Sequence, residues 1–586
     1  MEKRRLSLAE IEEVPTSNLI LLSGPPGAGK STFCHHAVLS GLAMDKPVLY
    51  VTTEHGPTEV IGLLREKGMG ELPPNALNFI DAFGETVGVT TPERPDTVNA
   101  NCDDLNSISM AIAKVQEKIG RRDIFLAFDS LTSPYLFNEK EVFRFMRLCL
   151  AKFASEGNSV LALMDEGCGK EEDLGAMMSV ADGIIRMEIK EKSRIINVVK
   201  HPKMAPTKIE ASMTPSTGIG EFTFDPRMVT EFVQAQMRKD GAWIRPEVGD
   251  FVNLLWPNLA HWSGMLWDPK RFPTMIYEIN KQEPCRMIGK FWAYFPWRMR
   301  LGRRLLMPKQ FSTVKDMKKL YRFYEREPWD RSCIAEYLAD ISKTDEHYVR
   351  IYENYECCGF ENIGTTIASH FPGESAGQLN GFEGEIRDWN FIETKCVGLG
   401  DPYCEFKFVP REIDELKSSL EKDVSVIEKI HERLMERLMG FLLHGKPLVE
   451  RPRLGEYIHI HPVMHAMGFP HVAGERYTMA QRMGGARSGK KLGERLLEAG
   501  IKEDEAISRV IGFMNYCKVG KVTLGDTIRI RENCESTRDK FMMTDGPSCF
   551  FTSGFLNGLF SAVKSQHVRE IKCIGTGDPY CEWEII

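Results

Sequence analysis

In the N-terminal third of the chain, apolar residues gather in short unbroken runs at residues 18–23, 47–52, 77–81, 124–129 and 159–164. Continuous runs of this length predict strands buried on both faces. The stretches between them, such as 105–119 and 138–156, carry apolar residues at helical spacing. Strands alternating with helices predict an α/β fold with a parallel sheet, and ligands in such sheets bind at the carboxyl ends of the strands. Further along, Ile413, Leu416, Leu420, Ile427, Ile430 and Leu434 follow three-to-four spacing with charged residues between them. That pattern predicts a long amphipathic helix over 411–443, with Asp423 interrupting its apolar seam. It serves equally as a dimer helix or as a helix packed on its own domain.

The first run leads directly into Gly24-Pro25-Pro26-Gly27-Ala28-Gly29-Lys30-Ser31-Thr32. This is G-x-x-x-x-G-K-[ST] with a strand before it and a helix after it, the context in which that spacing cradles a triphosphate. The glycines let backbone N–H groups face phosphate, and the new helix adds the positive end of its dipole. Lys30 is expected to reach the β- and γ-phosphates, and the Ser31 hydroxyl to ligate Mg2+. Asp129 closes the fourth apolar run, where a carboxylate suits the second protein ligand of Mg2+. A strand-end Asp capping a turn is the plainer alternative. Glu54 follows the second run and is placed to orient or deprotonate an attacking water, against the plainer reading of a solvated loop acid. The expectation is a site that binds and hydrolyses ATP, with Lys30, Glu54 and Asp129 as its catalytic set.

Residues 24–32 are followed in order by Val51-Thr52-Thr53-Glu54, Phe128-Asp129-Ser130-Leu131, Ala181-Asp182-Gly183-Ile184-Ile185 and Arg194-Ile195-Ile196-Asn197-Val198-Val199-Lys200. On this set, residues 5–225 resemble the KaiC and RadA branch of RecA-type ATPases. The resemblance implies Glu54 as the water activator; some members carry a pair of acids, where this chain has Glu54-His55. It also implies a Lys-x-Arg pair that reaches a neighbouring subunit's ATP. Here the run is Lys200-His201-Pro202-Lys203, so Pro202 stands at the arginine position and Lys200, with Lys203 behind it, is the remaining candidate. Loss of that guanidinium predicts slow turnover, or a site that senses ATP more than it consumes it. RecA-type sites lie between subunits, so the resemblance implies a homo-oligomer.

The rest of the chain repeats itself. Cys396-Val397-Gly398-Leu399-Gly400-Asp401-Pro402-Tyr403-Cys404-Glu405 returns as Cys573-Ile574-Gly575-Thr576-Gly577-Asp578-Pro579-Tyr580-Cys581-Glu582, an offset of 573 − 396 = 177. Leu379-Asn380-Gly381 returns at the same offset as Leu556-Asn557-Gly558. Residues 349–354 return as 528–533, at 528 − 349 = 179. Several matches with a two-residue gap indicate a duplicated domain. Aligned through the repeat, the cysteines form two sets, His370/Glu393/Cys396/Cys404 and Cys549/Glu570/Cys573/Cys581. Each is a candidate tetrahedral Zn2+ site, and a closed shell of four protein donors is structural, not catalytic. Buried, unliganded thiols are the plainer alternative. Cys357-Cys358 has no matching pair and reads as core or incidental.

Both copies resemble the 4-vinyl-reductase (4VR) domain, carried by Glu-x-x-Cys, by Gly-x-Gly-Asp-Pro-Tyr-Cys-Glu, by residues 548–558 and by residues 482–493. The resemblance implies an α/β (α+β) small-molecule-binding module whose Cys and Glu residues hold zinc. It is weaker in the first copy, where His370 stands in place of a cysteine. The resulting organisation is 1–225 ATPase, 226–410 first 4VR-like domain, 411–447 linker helix and 448–586 second 4VR domain.

Composition narrows the alternatives. At 586 residues the chain is long enough for three to four domains of ~150 residues. Its net charge, 75 − 82 = −7, provides no general attraction to nucleic acid or anionic membrane. Accordingly Trp243, Trp256, Trp262, Trp267, Phe291, Trp292, Tyr294, Phe295 and Trp297, with the basic run 298–304, read as core and solvated helix in preference to a base-stacking platform, with a wall of the first ligand pocket as a third option. No apolar run approaches the ~18 residues of a membrane span, and Leu6-Ser7-Leu8-Ala9-Glu10 is no signal core. A cytoplasmic protein with reduced thiols is expected from its fifteen cysteines. The functional expectation is an ATP-dependent regulatory protein whose 4VR modules bind a small apolar ligand. A maturation or delivery factor for a tetrapyrrole-like precursor and a RadA-like DNA motor are the alternatives. No dinucleotide fingerprint or [4Fe–4S] cysteine run accompanies them, so no separate reductase activity is expected.

Overall fold

All five apolar runs become strands, because the parallel part of a sheet covered on both faces can use unbroken Val/Ile/Leu sequence. The computed structural model describes residues 14–44, 46–67, 69, 72–73, 75–88, 94–190, 193–203, 206–212, 242, 244–282, 310–321, 331–460, 463, 470–536 and 547–586. They form two compact units, 1–217 and 218–586.

The first unit is built on β1 (Asn18–Gly24), β2 (Val48–Thr52), β3 (Leu77–Asp81), β4 (Thr97–Asn99), β5 (Phe125–Asp129), β6 (Ser159–Asp165), β7 (Gly183–Lys190), β8 (Ser193–Lys200) and β9 (Thr207–Ser212). Their order is β4-β3-β2-β5-β6-β1-β7-β8-β9. The sheet is parallel as far as β7; β8 and β9 add to it antiparallel. Helices α1 (Lys30–Ala43), α2 (Pro57–Glu66) and α3 (Leu105–Ile119) connect these strands. Leu19, Leu21, Val51, Ile80, Leu126, Phe128 and Val160 form the core with Ile108, Ile112 and Val115 of α3. After β1 the chain crosses two strand positions to β2. The carboxyl ends of β1, β6, β5 and β2 therefore open side by side, with Gly24 opposite Asp165 and Thr52 opposite Asp129.

The second unit contains two four-stranded antiparallel sheets of identical order. One is β11 (Ile334–Tyr337), β12 (His347–Tyr352), β13 (Asn390–Lys395) and β14 (Cys404–Val409). The other is β16 (Lys521–Leu524), β17 (Thr527–Arg531), β18 (Val568–Lys572) and β19 (Cys581–Ile585). They run β11-β12-β14-β13 and β16-β17-β19-β18. In each, a helix precedes the third strand: α5 (His370–Glu383) and α9 (Phe550–Lys564). A buried glutamate caps each of these helices. Glu356 accepts from the N–H groups of Ser369, His370 and Phe371, and Glu535 from those of Phe551 and Thr552. A carboxylate there meets the unpaired amides and the positive end of the helix dipole.

The leading segments of the two copies are exchanged. Residues 245–254 and 451–460 both begin Arg-Pro, with Gly fifth and an acid sixth, at an offset of 451 − 245 = 206. Arg245 donates to the carbonyls of Lys518, Val519 and Glu532, at the second sheet. Arg451 donates to those of Arg331, Ser332 and Glu353, at the first. Glu532 and Glu353 answer in kind, accepting backbone N–H bonds from 247–248 and 453–454. Between them β10 (Phe251–Asn253) and β15 (Tyr457–His459) pair antiparallel about Val252 and Ile458. Each copy is thus completed by the other's first segment. Arg245 is fully buried, so Arg245→Ala would leave several carbonyls unsatisfied. It is expected to cost about 3–5 kcal/mol in urea unfolding; a loss under about 0.5 kcal/mol would show that the segment is merely resting there.

Helix α4 (Leu255–Trp267) buries Trp256, Trp262 and Trp267 completely, as expected for core. Trp243, Phe291, Trp292, Tyr294, Phe295, Trp297 and residues 298–304 lie outside the described residues. The long helix expected over 411–443 is two pieces, Leu416–Leu420 and α6 (Val424–His444). Asp423 sits at the N-cap of α6, where an acidic residue is favourable and a continued helix is not. The apolar stripe Ile427, Ile430, Leu434 and Leu438 is buried within the unit, so it packs on its own domain. Helix α7 (Pro470–Glu498) lies along α9, and a Cβ at Gly554 or Gly558 would collide with the backbone oxygens of Arg482 and Ala486. Glycine there lets the two helices touch backbone to backbone.

Candidate functional site

The turn after β1 is shaped for an anion. Gly29, at the N-cap of α1, has φ 94°, a left-handed conformation that glycine adopts without strain. A Cβ on it would lie 2.8 Å from Arg194 Cζ, so the Arg194 side chain, reaching over from β8, rests on this turn. Its Nε is buried with no hydrogen-bond partner among the described residues. Lys30 begins α1 and is itself buried. Its ammonium donates to Gly24 O (3.0 Å) and Pro25 O (2.9 Å) and pairs with Asp165 at 2.5 Å.

Sequence-expected partners converge here. Ser31 Oγ donates to Asp129 Oδ1 at 3.2 Å, and Tyr50 OH to Asp129 Oδ2 at 2.7 Å. Glu54 Oε1 accepts from Ser130 Oγ at 2.6 Å, and the Thr53 hydroxyl accepts from Ser130 N and donates to Ser130 O. Glu54 is thereby fixed beside the Asp129 strand end. Burial pushes the Asp129 carboxyl up to about 6; the Tyr50 hydrogen bond opposes this, and the nearby Glu54 charge adds to it. Lys200 stands at the end of β8 with its ammonium on Ala181 O, and Lys203 is exposed just beyond.

Three residues of this site escaped the sequence reading: Asp165, Glu166 and Arg194. Glu166 accepts from Ser23 Oγ and holds Arg186 bidentately at 2.8 and 3.0 Å. The signal that identified Asp129, an acid closing an apolar strand, was equally present at Asp165.

In the second unit, Glu570, Cys573, Cys581 and Cys549 come together, with donor atoms within 4.8 Å of one another. Cys549 Sγ lies 3.7 Å from Cys573 and 3.4 Å from Cys581. The Gly-x-Gly-Asp-Pro turn closes back as expected, Asp578 accepting from Cys573 N and Asp401 from Cys396 N, both at 3.0 Å. Matching bulges in β13 and β18, at Glu393/Lys395 and Glu570/Lys572, interrupt the ladders beside the glutamates.

The first copy gathers Glu393, Cys396 and Cys404 in the same way, but its fourth donor is Cys357, not His370. The helix register explains the difference. Asn380 and Asn557 each accept the N–H that starts the next segment, at Trp389 and Val568. Cys549 is the N-cap of α9 and Ser369 the N-cap of α5, an offset of 549 − 369 = 180, so Cys549 corresponds to Ser369. His370 is the residue after it, with Nδ1 on the Tyr355 hydroxyl and Nε2 4.0 Å from Glu374. Upstream the offset is 179, and Cys357 corresponds to Ser536, whose Oγ lies 3.2 Å from Cys581 Sγ. One corner of each cluster has thus lost its cysteine and the other has gained one.

The donor chemistry suits a soft cation. Glu393 Oε2 accepts two backbone N–H bonds and Glu570 Oε2 accepts from Ser553. The other oxygen of each, Oε1, is buried with no hydrogen-bond partner among the described residues. Hydrogen bonds from Cys357 and Cys404 pull the Cys396 thiol down to about 3. Burial raises the Cys581 thiol, but Cys549 and Cys573 more than offset this and bring it to about 6. In each cluster the neighbouring thiols thus favour ionisation of one cysteine. The described cysteines are all free thiols.

Residues 8–217 match the ATPase family described as KaiC, and residues 527–586 match the V4R domain. A UPF0273 protein of Thermotoga maritima is 27% identical over 191 residues, which is 30% of this chain and 74% of the relative. A UPF0273 protein of Pyrococcus horikoshii is 27% identical over 186 residues, 30% of this chain and 72% of the relative. The crystal structure of a KaiC-like protein from Pyrococcus horikoshii OT3 is 18% identical, covering 34% of this chain and 85% of that chain, with a TM-score of 0.25. No helix among the described residues is long and apolar enough to cross a membrane.

Proposed function

We propose that this chain, a KaiC-like ATPase domain at the N-terminus and a V4R domain at the C-terminus, is an ATP-hydrolysing regulatory protein. Its second unit would hold two structural zinc ions and sense a small apolar ligand. The observation that carries the reading is the convergence of Lys30, Ser31, Asp129 and Glu54 at neighbouring strand ends.

In this site the amides of residues 27–31 and the Lys30 ammonium bind the phosphates. Ser31 and Asp129 would hold Mg2+, which supplies charge neutralisation for the leaving phosphate. Glu54, steadied by Ser130, orients the attacking water and accepts its proton. Arg194 contributes a guanidinium from the same chain, beside the phosphate turn. Lys200 would act on a neighbour's nucleotide in a homo-oligomer. With no Lys-x-Arg arginine, turnover is slow.

Glu393, Cys396, Cys404 and Cys357 would hold one zinc ion, and Cys549, Glu570, Cys573 and Cys581 the other. Both shells are complete with protein donors, which supports a structural role. That the first copy is a second V4R module is supported by its matching sheet order. A cavity of about 80 Å³ beside α5, lined by Tyr355, Phe371, Leu379 and Phe382 together with Glu374 and Gln378, supports a small ligand with an apolar body and a polar end. ATP hydrolysis that single-stranded DNA leaves unchanged is the expected result in a phosphate-release assay. Strong stimulation by DNA would replace this reading with the motor.

Asp129 provides a second test. Its folded pKa of about 6 lies above the ~3.9 of an unfolded chain. Below pH ~4 both states are protonated. As pH rises from there through ~6, the unfolded state ionises first and stability falls. Asp129→Asn should abolish this loss, making the nucleotide-free protein about 1–2 kcal/mol more stable than the parent at pH 8, while Mg2+-dependent hydrolysis disappears. Urea unfolding at pH 5 and pH 8 measures it; a variant less stable than the parent at pH 8 contradicts the assignment.

A further inference from the structure

The phosphate-binding lysine is already occupied. Lys30 has three N–H donors, and they go to Gly24 O, Pro25 O and the carboxylate of Asp165, the last at 2.5 Å. Asp165 is the final residue of β6, in register with Gly24 at the end of β1. It is held from behind by Thr132, whose Oγ accepts from Asp165 N at 2.9 Å and donates to Oδ2 at 3.4 Å. The carboxylate is therefore part of the rigid strand-end row, beside the turn that receives the phosphates. Of the neighbouring guanidinium groups, Arg186 is committed to Glu166 and Arg194 rests against Gly29.

We infer that Asp165 sets the preference between nucleoside triphosphate and diphosphate, by competing with the γ-phosphate for Lys30. The inference rests on the ATP reading above. When a triphosphate enters, the ammonium turns to the β- and γ-oxygens. Asp165 then loses its counter-charge and faces the added negative charge of the γ-phosphate, a like-charge approach at a partly buried site. A diphosphate ends short of this position and meets less of the repulsion. The pair thus lowers affinity for ATP more than for ADP, and keeps Lys30 paired while the site is empty.

Equilibrium titrations of Mg-ATP and Mg-ADP into the full chain test this, with the parent protein, Asp165→Asn and Asp165→Glu. Asp165→Asn should bind ATP on the order of tenfold more tightly, and ADP by less than about threefold. Asp165→Glu keeps the charge and should keep the parent's ATP:ADP ratio. A purely structural role for Asp165 would move both nucleotides together. If the parent binds nucleotide and Asp165→Asn leaves the ratio unchanged, or shifts it toward ADP, the inference is overturned and the ATP reading stands. If the parent binds neither nucleotide, the ATP reading itself fails and takes the inference with it.

Discussion

Replacing Lys30 with alanine should lower ATP turnover by about 1,000-fold, the scale on which removing a single charged donor from a phosphoryl-transfer site acts. Lys30 is buried at the start of α1 and points along the end of β1, so no mobile surface cation can replace it. The variant should stay folded. The sheet core lies beneath the strand ends, and the lost ion pair involves an Asp165 with 21% of its side chain exposed, which screens the charge left behind. Phosphate release at saturating Mg-ATP measures the effect. Turnover within about tenfold of the parent would remove the phosphate turn from the catalytic account.

The second large effect concerns the cysteine clusters. The purified chain should carry two zinc ions. Cys573→Ser and Cys357→Ser should each leave one, whereas His370→Ala should leave both. Metal binding free energy at such sites is folding free energy. Either serine variant should therefore lose about 3 kcal/mol or more of stability. Acid should release the metal as well, since the thiols must be deprotonated to bind it. Native mass spectrometry counts the ions and urea unfolding reads the stability. Two zinc ions retained in Cys357→Ser would return the first site to a different donor set.

The parallel sheet was legible because its strands are buried on both faces, which leaves unbroken apolar runs in the sequence. The phosphate turn was legible because strand, glycines, lysine and helix are contiguous. What escaped was set by tertiary neighbours. Asp165 and Arg194 reach the turn because the sheet order places β6 beside β1, and β8 two strands further on; spacing along the chain does not encode that order. Cys357 escaped because the copies exchanged cysteine corners: Cys357 stands where the second copy has Ser536, and Ser369 where it has Cys549. The exchanged segments led by Arg245 and Arg451 escaped for a related reason. Their offset of 206 differs from the 177 of the cysteine pairs, and each completes the copy to which it is not joined in sequence.

The most direct test is a calorimetric titration of Mg-ATP into the full-length chain, alongside Lys30→Ala. The account predicts saturable binding at one site per chain, lost in the variant and weakened when Mg2+ is chelated. A flat titration of the parent protein, or equal binding by both proteins, would contradict it.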